Sequence, residues 1–343
     1  MTPQIRTRPV PVCPICGREG NLAWTGLRDQ LFGVSGEWSF RRCGSRACGL
    51  LWLDPMPLAA DLPLLYQSYF THAPQVKTSG LRARVEHRLM EGVLQDRLGY
   101  DKGLPWWIAF LLSRLAVATP SGADGFLAQA MFLQSPNKGG GRLLEIGCGS
   151  GEALARMRDL GWSVLGTDFD PQAVATARGL GLEVRIGGAE CVSQADGPFD
   201  AIFLGHVIEH VPNVIAALKC MYKKMKKGGE LVLVVPDKRY MFDLDRLETP
   251  LEHFLADEVR GKVAETLEHY IEYFRRAAKE SDFMATALAG HQTGRDIHMH
   301  VFTPDSMRIL LNYLNDELHL GQYVVLTPAK PDVLQEFYVH ITK

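Results

Sequence analysis

The chain has 343 residues, a length that accommodates two domains of ordinary size. Hydrophobic residues make up 46% of it and charged residues 22%, a composition that excludes an intrinsically disordered protein. With 37 Lys and Arg against 39 Asp and Glu, the formal charge of −2 offers no overall field for nucleic acid or an anionic membrane.

Two pairs of cysteines lie near the N-terminus at spacings typical of metal ligands. Cys13 and Cys16 form a C-x2-C pair, and Cys43 and Cys48 form a pair separated by four residues. Four thiolates can bind zinc tetrahedrally, and a site filled by protein ligands is closed and structural. We therefore predict a zinc-ribbon-like module over 1–58, with unligated or redox-active cysteines as the alternative. The first residues have no apolar signal core, so we expect a reduced, cytoplasmic environment.

Residues 59–138 are predicted to form a helical linker or cover. Apolar residues recur at helical spacing over 81–98, and a second helix is predicted from Trp106 to Ala118. The apolar run around Trp106 and Trp107 is too short for a bilayer, which needs about 20 apolar residues. It is predicted to be a buried helix, and contact with a membrane surface or a partner is the alternative.

From residue 139 onward, strands alternate with helices, the pattern of a parallel sheet covered on both faces. Strands are predicted over 142–147, 162–167, 182–186, 200–205 and 230–235, with helices over 151–160, 171–180 and 214–227. A helical insertion over 238–297 follows; then come a strand at 299–302, a helix from 304 to about 315, and strands at 322–327 and 336–342. The short link between the last two strands predicts an antiparallel hairpin.

A glycine-rich turn, LLEIGCGSG over residues 143–151, connects the first of these strands to a helix. Glycines let a ligand approach the backbone, and the helix N-terminus offers free N–H groups. The spacing is G-x-G-x-G, with Glu152 where a dinucleotide fingerprint has its third glycine. Glu145 suits an ammonium group, and Asp168 can accept two ribose hydroxyls at the end of the next strand. The combination predicts a nucleoside that carries an amino acid.

The chain resembles the class I S-adenosylmethionine-dependent methyltransferases over about residues 141–237 and 299–343. The resemblance rests on five motifs in family order: LLEIGCGSG, GTDFDP, GGAE, FDAIFLGHVIEHVPN and KKMKKGGELVLVVP. It implies a doubly wound, Rossmann-like α/β fold with a seven-stranded sheet and a reversed final hairpin. The residues that it implies around S-adenosylmethionine are Glu145, Gly147 and Gly149 at the methionine part, Asp168 at the ribose, Ala189 and Glu190 at the adenine, and His206 beside the methyl donor. Gly151 and Phe169 are also expected to bind the cofactor. Many family members have Asp at the position of Gly188, and Glu190 is expected to replace it.

The acceptor site is expected beyond the carboxyl ends of the strands, below the insertion. The candidates for a catalytic base are His206, after the fourth strand, Asp237, after the fifth, and His298 and His300, after the insertion. Further titratable candidates in these segments are Glu209, His210, Arg239, Tyr240, His253, His269 and His291. An extended segment would place Asp296, His298 and His300 on one face, suited to a base, a substrate contact or a metal, with purely structural roles as the alternative.

These features predict an enzyme that transfers the methyl group of S-adenosylmethionine to a small-molecule or saccharide-like acceptor, with oxygen favoured over nitrogen or carbon. Zinc modules precede the methyltransferase domain in similar bacterial enzymes acting on sugars and secondary metabolites, and VPDKRYMFDLDR and HMHVFTP resemble methyltransferases found with polysaccharide genes. Two alternatives stay open: a methyltransferase that acts on protein or tRNA through the zinc module, and a non-catalytic cofactor-binding scaffold. The oligomeric state is left open.

Overall fold

The computed structural model describes residues 5–28, 36–45, 48–58, 61, 80–136, 140–261, 265–279 and 282–343. It separates into two compact units, one up to residue 61 and one from residue 80 onward. Parts of the expected linker, 59–60, 62–79 and 137–138, lie outside the described residues. The helices expected in the rest of that linker belong to the second unit.

The first unit consists of short strands. They are β1 (Thr7–Arg8), β2 (Gly20–Leu27), β3 (Trp38–Cys43), β4 (Leu51–Leu53) and β5 (Met56–Pro57). β2, β3 and β4 form an antiparallel sheet, and β1 pairs with β5. The indole of Trp52 is buried, donates to the carbonyl of Val10 at 2.7 Å, and would lie 2.2 Å from a Cβ at Gly20. Among the described residues of this unit, the buried hydrophobic cluster consists of Trp52, Cys13 and Cys43, so a unit this small needs stabilisation beyond its hydrophobic core.

The second unit begins with α1 (Leu81–Leu98), α2 (Trp106–Ala116) and α3 (Asp124–Leu127). The two long helices approach closely, because a Cβ at Gly92 would lie 2.3 Å from Cβ of Leu112. The prediction of a buried second helix is wrong for one face: Trp106 and Trp107 are 79% and 55% exposed. The small residues of α2 are the ones buried, since a helix packed against a single neighbour buries one stripe only.

The sheet of the second unit has seven strands, as predicted. They are β6 (Gly141–Ile146), β7 (Trp162–Asp168), β8 (Val184–Ile186), β9 (Phe199–Gly205), β10 (Met225–Pro236), β11 (Gln322–Leu326) and β12 (Glu336–Thr342). Their order is β11-β12-β10-β9-β6-β7-β8, and the five from β6 to β10 are parallel. β12 runs antiparallel to β10 and β11, which confirms the reversed hairpin. The strand order reverses between β6 and β9, where ligands bind in open parallel sheets.

Helices cover both faces of this sheet. They are α4 (Glu152–Asp159), α5 (Pro171–Gly179), α6 (Val214–Lys224), α7 (Leu251–Arg260), α8 (Leu267–Arg276), α9 (Phe283–Thr293), α10 (Pro304–Leu318) and α11 (Pro331–Leu334). α7, α8 and α9 lie within the insertion and make it helical. No helix in the described part of the chain is long and apolar enough to cross a bilayer.

The strand predicted at 299–302 is not formed. The N–H groups of Met299 and His300 both donate to the carbonyl of Glu209, at 2.8 and 3.1 Å. The N–H of Val301 donates to the hydroxyl of Thr249 at 2.9 Å. Loops therefore satisfy this backbone, and no sheet neighbour is needed.

Candidate functional site

The glycine turn after β6 is shaped by close contacts that only glycine permits. Gly147 has φ +73°, and a Cβ there would lie 2.4 Å from Cγ2 of Val207. Gly151 has φ +78°, and a Cβ there would lie 2.6 Å from Cδ1 of Leu182. Gly149 differs, because a Cβ at this residue would have nothing within 4 Å. The turn is therefore packed against the protein at its two ends and open to a ligand in its middle.

Asp168, at the end of β7, ties this turn to the neighbouring strand. Its Oδ2 accepts from the N–H of Gly149 at 2.8 Å, and its Oδ1 accepts from the N–H of Asp170 at 2.9 Å. A carboxylate has about four acceptor positions, so it retains capacity for a diol. The structure thus brings together two residues that the sequence analysis assigned to one cofactor.

Glu145 is buried under the turn with an unsatisfied carboxyl. Its side chain belongs to a residue that is 5% exposed, and its Oε2 has no hydrogen-bond partner among the described residues. Burial raises the pKa of Glu145 to about 8; the charge of Arg156 opposes this shift and that of Asp168 adds to it. A cationic group at this place would compensate the buried carboxylate, which fits the ammonium of an amino-acid-bearing nucleoside.

Phe169 directly follows β7, Glu190 follows β8, and both side chains lie beside Gly188. The ring of Phe169 is 72% exposed, and Oε1 of Glu190 accepts from the N–H of Gly188 at 2.7 Å. A Cβ at Gly188 would lie 2.7 Å from Oε2 of Glu190 and 3.1 Å from Cζ of Phe169. A purine base can stack on an exposed aromatic ring and donate a hydrogen bond to a carboxylate beside it. Ala189 directly precedes this carboxylate in the chain.

His206 follows β9 in the left-handed backbone region, with φ +54°, which is uncommon for a residue with a side chain. Its Nε2 lies 2.8 Å from Oε2 of Glu336, and its Nδ1 lies 3.7 Å from Oε1 of Glu209. Burial lowers the pKa of His206, but the two carboxylates outweigh burial and raise it. His206 is therefore a half-exposed imidazole that favours its charged form.

Glu209 is fully buried, and neither of its carboxyl oxygens has a hydrogen-bond partner within the described segments. The ligand atoms of Glu209, His210 and His298 lie within 4.8 Å of one another. Burial raises the pKa of Glu209, and the charges of His210 and His206 oppose that shift. Burial lowers the pKa of His210, but Asp296, at 2.7 Å, and Glu209 raise it overall. We call Glu209, His210 and His298 the strand-end cluster.

His298 is oriented by a carboxylate that the sequence analysis missed. Its Nδ1 lies 2.6 Å from Oδ2 of Asp243, and Oδ1 of Asp243 accepts from Nη1 of Arg246 at 2.8 Å. Burial alone would raise the pKa of Asp243, but the hydrogen bonds from His298 and Arg246 lower it. With the proton held on Nδ1, the neutral imidazole keeps the lone pair of Nε2 for a proton. Asp243 lies in the segment VPDKRYMFDLDR, but only its contact with His298 singles it out from the other charged residues of that segment.

Two predicted bases occupy positions that do not suit the role. Asp237 is fully buried, and its Oδ2 accepts from Nη2 of Arg239 at 2.6 Å. His300 is also buried and joins His253 and His269, so it does not share a face with His298 as expected. Burial lowers the pKa of His269 to about 4 and holds the pKa of His300 well below its usual value. Neighbouring histidines add to both shifts. Neither Asp237 nor His300 is placed to take a proton from a substrate.

The four cysteines of the first unit converge. Sγ of Cys13 lies 3.7 Å from Sγ of Cys48, and Sγ of Cys16 lies 3.3 Å from Sγ of Cys43. Zn–S bonds of 2.3 Å in a tetrahedron place sulfur atoms about 3.8 Å apart, close to these distances. The N–H of Ser45 points at Sγ of Cys43 from 3.4 Å, as in metal-binding turns that stabilise thiolates. The set of donors and their spacing fit zinc.

Known methyltransferases resemble this chain in sequence. A family profile described as "Methyltransferase domain" matches residues 123–315, more than half of the chain. The chain is 35% identical to the ubiquinone biosynthesis O-methyltransferase of Xanthomonas oryzae pv. oryzae (strain PXO99A) over 101 residues, 27% of this chain and 42% of that protein. It is 27% identical to the protein of the same name from Xanthomonas campestris pv. campestris (strain B100) over 188 residues, 51% of this chain and 74% of that one. The chain thus spans less than half of the first relative.

Among solved structures, the plantazolicin methyltransferase BpumL in complex with a triazolic desmethylPZN analog and SAH matches 77% of this chain and 99% of its own, with 13% identity and a TM-score of 0.40.

Replacing Glu145 by Gln should flatten the pH dependence of stability of the ligand-free protein. The pKa of this carboxyl is 4.5 in the unfolded chain and about 8 in the folded protein. The protonated carboxyl therefore contributes fully to stability below pH 4.5, and this contribution is lost as the pH rises through about 8. Thermal unfolding from about pH 5 to about pH 8 should therefore show a steeper decline for the wild type than for Glu145→Gln. Glu183→Gln, which changes an exposed carboxyl, is the control. Equal slopes in all three proteins would contradict a protonated, buried Glu145.

Proposed function

Because this chain belongs to the methyltransferase domain family, we propose that it transfers the methyl group of S-adenosylmethionine to a hydroxyl of a small-molecule or saccharide-like acceptor. The names of the curated relatives, which are O-methyltransferases, support oxygen as the methylated atom. The observation that carries the proposal is the close approach of Val207 to Gly147, because Val207 lies two residues before Glu209 of the strand-end cluster. One crevice would therefore combine a cofactor cradle with a group that accepts protons.

The residues that would hold the cofactor are those of the crevice between β6 and β9. Glu145 would compensate its ammonium group, Asp168 would accept its ribose hydroxyls, and Phe169 and Glu190 would flank its adenine. The N–H groups that follow Gly149 and Gly151 at the start of α4 would meet its carboxylate. When bound, S-adenosylmethionine supplies a methyl group attached to a positively charged sulfur.

His298 would act as the base that prepares the acceptor. A hydroxyl is a weak nucleophile, so transfer of its proton to Nε2 of His298 raises its reactivity. Asp243 would stabilise the imidazolium that forms, and Arg246 would hold Asp243 in place. Glu209, whose carboxyl oxygens have no hydrogen-bond partner among the described residues, lies next to His298 and would favour the protonated ring when it is ionised. His206 would line the site on the side of the glycine turn.

Residues 1–58 would form a separate structural module around zinc bound by Cys13, Cys16, Cys43 and Cys48. Closed four-thiolate sites supply no open coordination position, so the ion would stabilise this unit and take no part in methyl transfer. Residues 139–343, with the insertion 238–297, would form the methyltransferase domain, preceded by the helices of 59–138.

Asp168→Ala should weaken S-adenosylmethionine binding about tenfold or more, because a charge-assisted hydrogen bond contributes about 1.5–3 kcal/mol. Titration calorimetry with S-adenosylmethionine and with its demethylated product measures the affinity. Asp159→Ala, which removes an exposed carboxylate on α4, should leave affinity unchanged. Wild-type affinity in Asp168→Ala would contradict its place at the ribose.

His298→Ala should lower the rate of methyl transfer about 100-fold, with little change in cofactor affinity, because general-base catalysis contributes about that factor. The measurement is transfer of label from methyl-labelled S-adenosylmethionine to a panel of phenols, catechols and saccharides. His87→Ala, which removes an exposed histidine of α1, is the matched control. If His298→Ala and His87→Ala react at the same rate, His298 is not the base.

Cys13→Ser should remove one equivalent of zinc from the purified protein and expose the N-terminal unit to protease, while the second unit persists. Elemental analysis and limited proteolysis measure the two effects. Cys220→Ser, outside the cysteine cluster, should retain the full zinc content. An unchanged zinc content in Cys13→Ser would contradict the four-thiolate site.

A further inference from the structure

A second group of potential metal ligands joins the insertion to the segment that follows it, apart from the strand-end cluster. It consists of His253 and Asp257 on α7, His269 on α8, and His300 on the segment that leads to α10. The four ligand atoms lie within 4.8 Å of one another, and none of these residues has a role in the proposed methyl transfer. His253 and Asp257 are four residues apart, so both side chains leave the same face of α7.

The distances between the ligand atoms lie within about half an ångström of those around a tetrahedral ion coordinated by nitrogen and oxygen. Oδ2 of Asp257 lies 3.2 Å from Nε2 of His253, and 3.8 Å from Nε2 of both His269 and His300. Zinc bonds of about 2.0 Å in a tetrahedron separate neighbouring ligand atoms by about 3.3 Å. Nε2 of His253 and Nε2 of His269 are closer, at 2.8 Å, so this pair would open by about half an ångström around an ion.

Asp257 is the strongest indication of a missing cation. Its side chain is buried, and Oδ1 accepts from Nη1 of Arg260 at 3.1 Å. Its Oδ2 has no hydrogen-bond partner among the residues described, although three imidazole nitrogens surround it. Leaving a buried carboxylate oxygen without a partner is costly, and an ion at the centre of the three rings would remove that cost.

Two of the three imidazoles are buried, and their hydrogen bonds define the ion-free state. Burial of His269 and His300 favours the neutral ring, which is the form that coordinates a metal. Nδ1 of His269 accepts from the N–H of Thr266 at 3.2 Å and also lies 3.2 Å from the hydroxyl of Thr266; an ion at Nε2 would move the ring proton to Nδ1, with the hydroxyl as its acceptor. Nε2 of His300 lies 3.3 Å from the carbonyl oxygen of Pro212, and its Nδ1 has no hydrogen-bond partner among the described residues. His253 lines a cleft of about 440 Å³, which provides a route from solvent.

We propose that His253, Asp257, His269 and His300 bind one zinc ion. Three imidazoles and a carboxylate are ligands that zinc prefers, and four protein ligands close the site. The ion would therefore be structural. It would tie α7, α8 and the segment before α10 together and so hold the insertion in its place after β10, close to His298 on the same segment. This proposal does not depend on the identity of the acceptor or on the zinc site of the first unit.

The test uses the full chain, freed of any affinity tag, and the variant Asp257→Asn, which preserves the shape of the side chain and removes its charge. The probe is zinc itself, measured by elemental analysis and by competition with a chromophoric chelator. Asp257→Asn should hold one equivalent less zinc than the wild type. Replacing a residue that only hydrogen-bonds to a metal ligand lowers metal affinity by roughly 10–100-fold, and the loss of the ligand Asp257 should lower it by more. His253→Ala should show the same loss, and His291→Ala, on α9 of the same insertion, should show none.

Cobalt substitution separates the two zinc sites. Thiolate ligands give an intense sulfur-to-cobalt absorption that imidazole and carboxylate ligands do not, so Asp257→Asn should lose cobalt without losing this band. The thermal midpoint of the wild type should fall on chelation more than that of Asp257→Asn, because only the wild type has this ion to lose. Wild-type zinc content and affinity in both folded variants, Asp257→Asn and His253→Ala, would overturn the proposal.

Discussion

The glycine turn between β6 and α4 is the constraint on which the crevice depends. Side chains from other elements occupy the space beside Gly147 and Gly151, so any substitution there displaces Val207 or Leu182. The hydrogen bond from Gly149 to Asp168 then joins the turn to β7. Val207 lies two residues before Glu209, so the packing that shapes the turn also constrains the backbone that leads into the strand-end cluster.

Three buried carboxylates, each with an oxygen that accepts no hydrogen bond from the described residues, lie where we expect positive charge. Glu145, Glu209 and Asp257 each have an oxygen with no hydrogen-bond partner in the described ranges. Folding alone does not favour such groups, because removing a charge from water is costly unless an opposite charge replaces the solvent. At Glu145 the charge would come from the cofactor, at Glu209 from imidazolium rings, and at Asp257 from a metal ion. Local violations of this kind are typical of functional sites.

The irregular segment that follows the insertion contributes one histidine to the strand-end cluster and one to the proposed second zinc site. His298 and His300 lie two residues apart, yet His298 joins Asp243 and His300 joins the histidines of α7 and α8. The backbone between them is fixed by Glu209, whose carbonyl accepts from both Met299 and His300. A metal ion at His300 and a proton acceptor at His298 would therefore be held in register by the same loop. This arrangement links the stability of the insertion to the geometry of the site.

The sequence by itself determined the alternating strands and helices, the reversed hairpin, the cofactor turn and the pairs of cysteines. These features depend on local periodicity, on backbone conformations open only to glycine, and on short ligand spacings. Only the tertiary structure decided that Trp106 is exposed, that no strand forms at 299–302, and that His298 and His300 separate. It also identified the roles of Asp243 and Asp257, which their places in the sequence do not indicate. The partners of these side chains come from distant parts of the chain, and packing of the insertion against the sheet, not local spacing, brings them together.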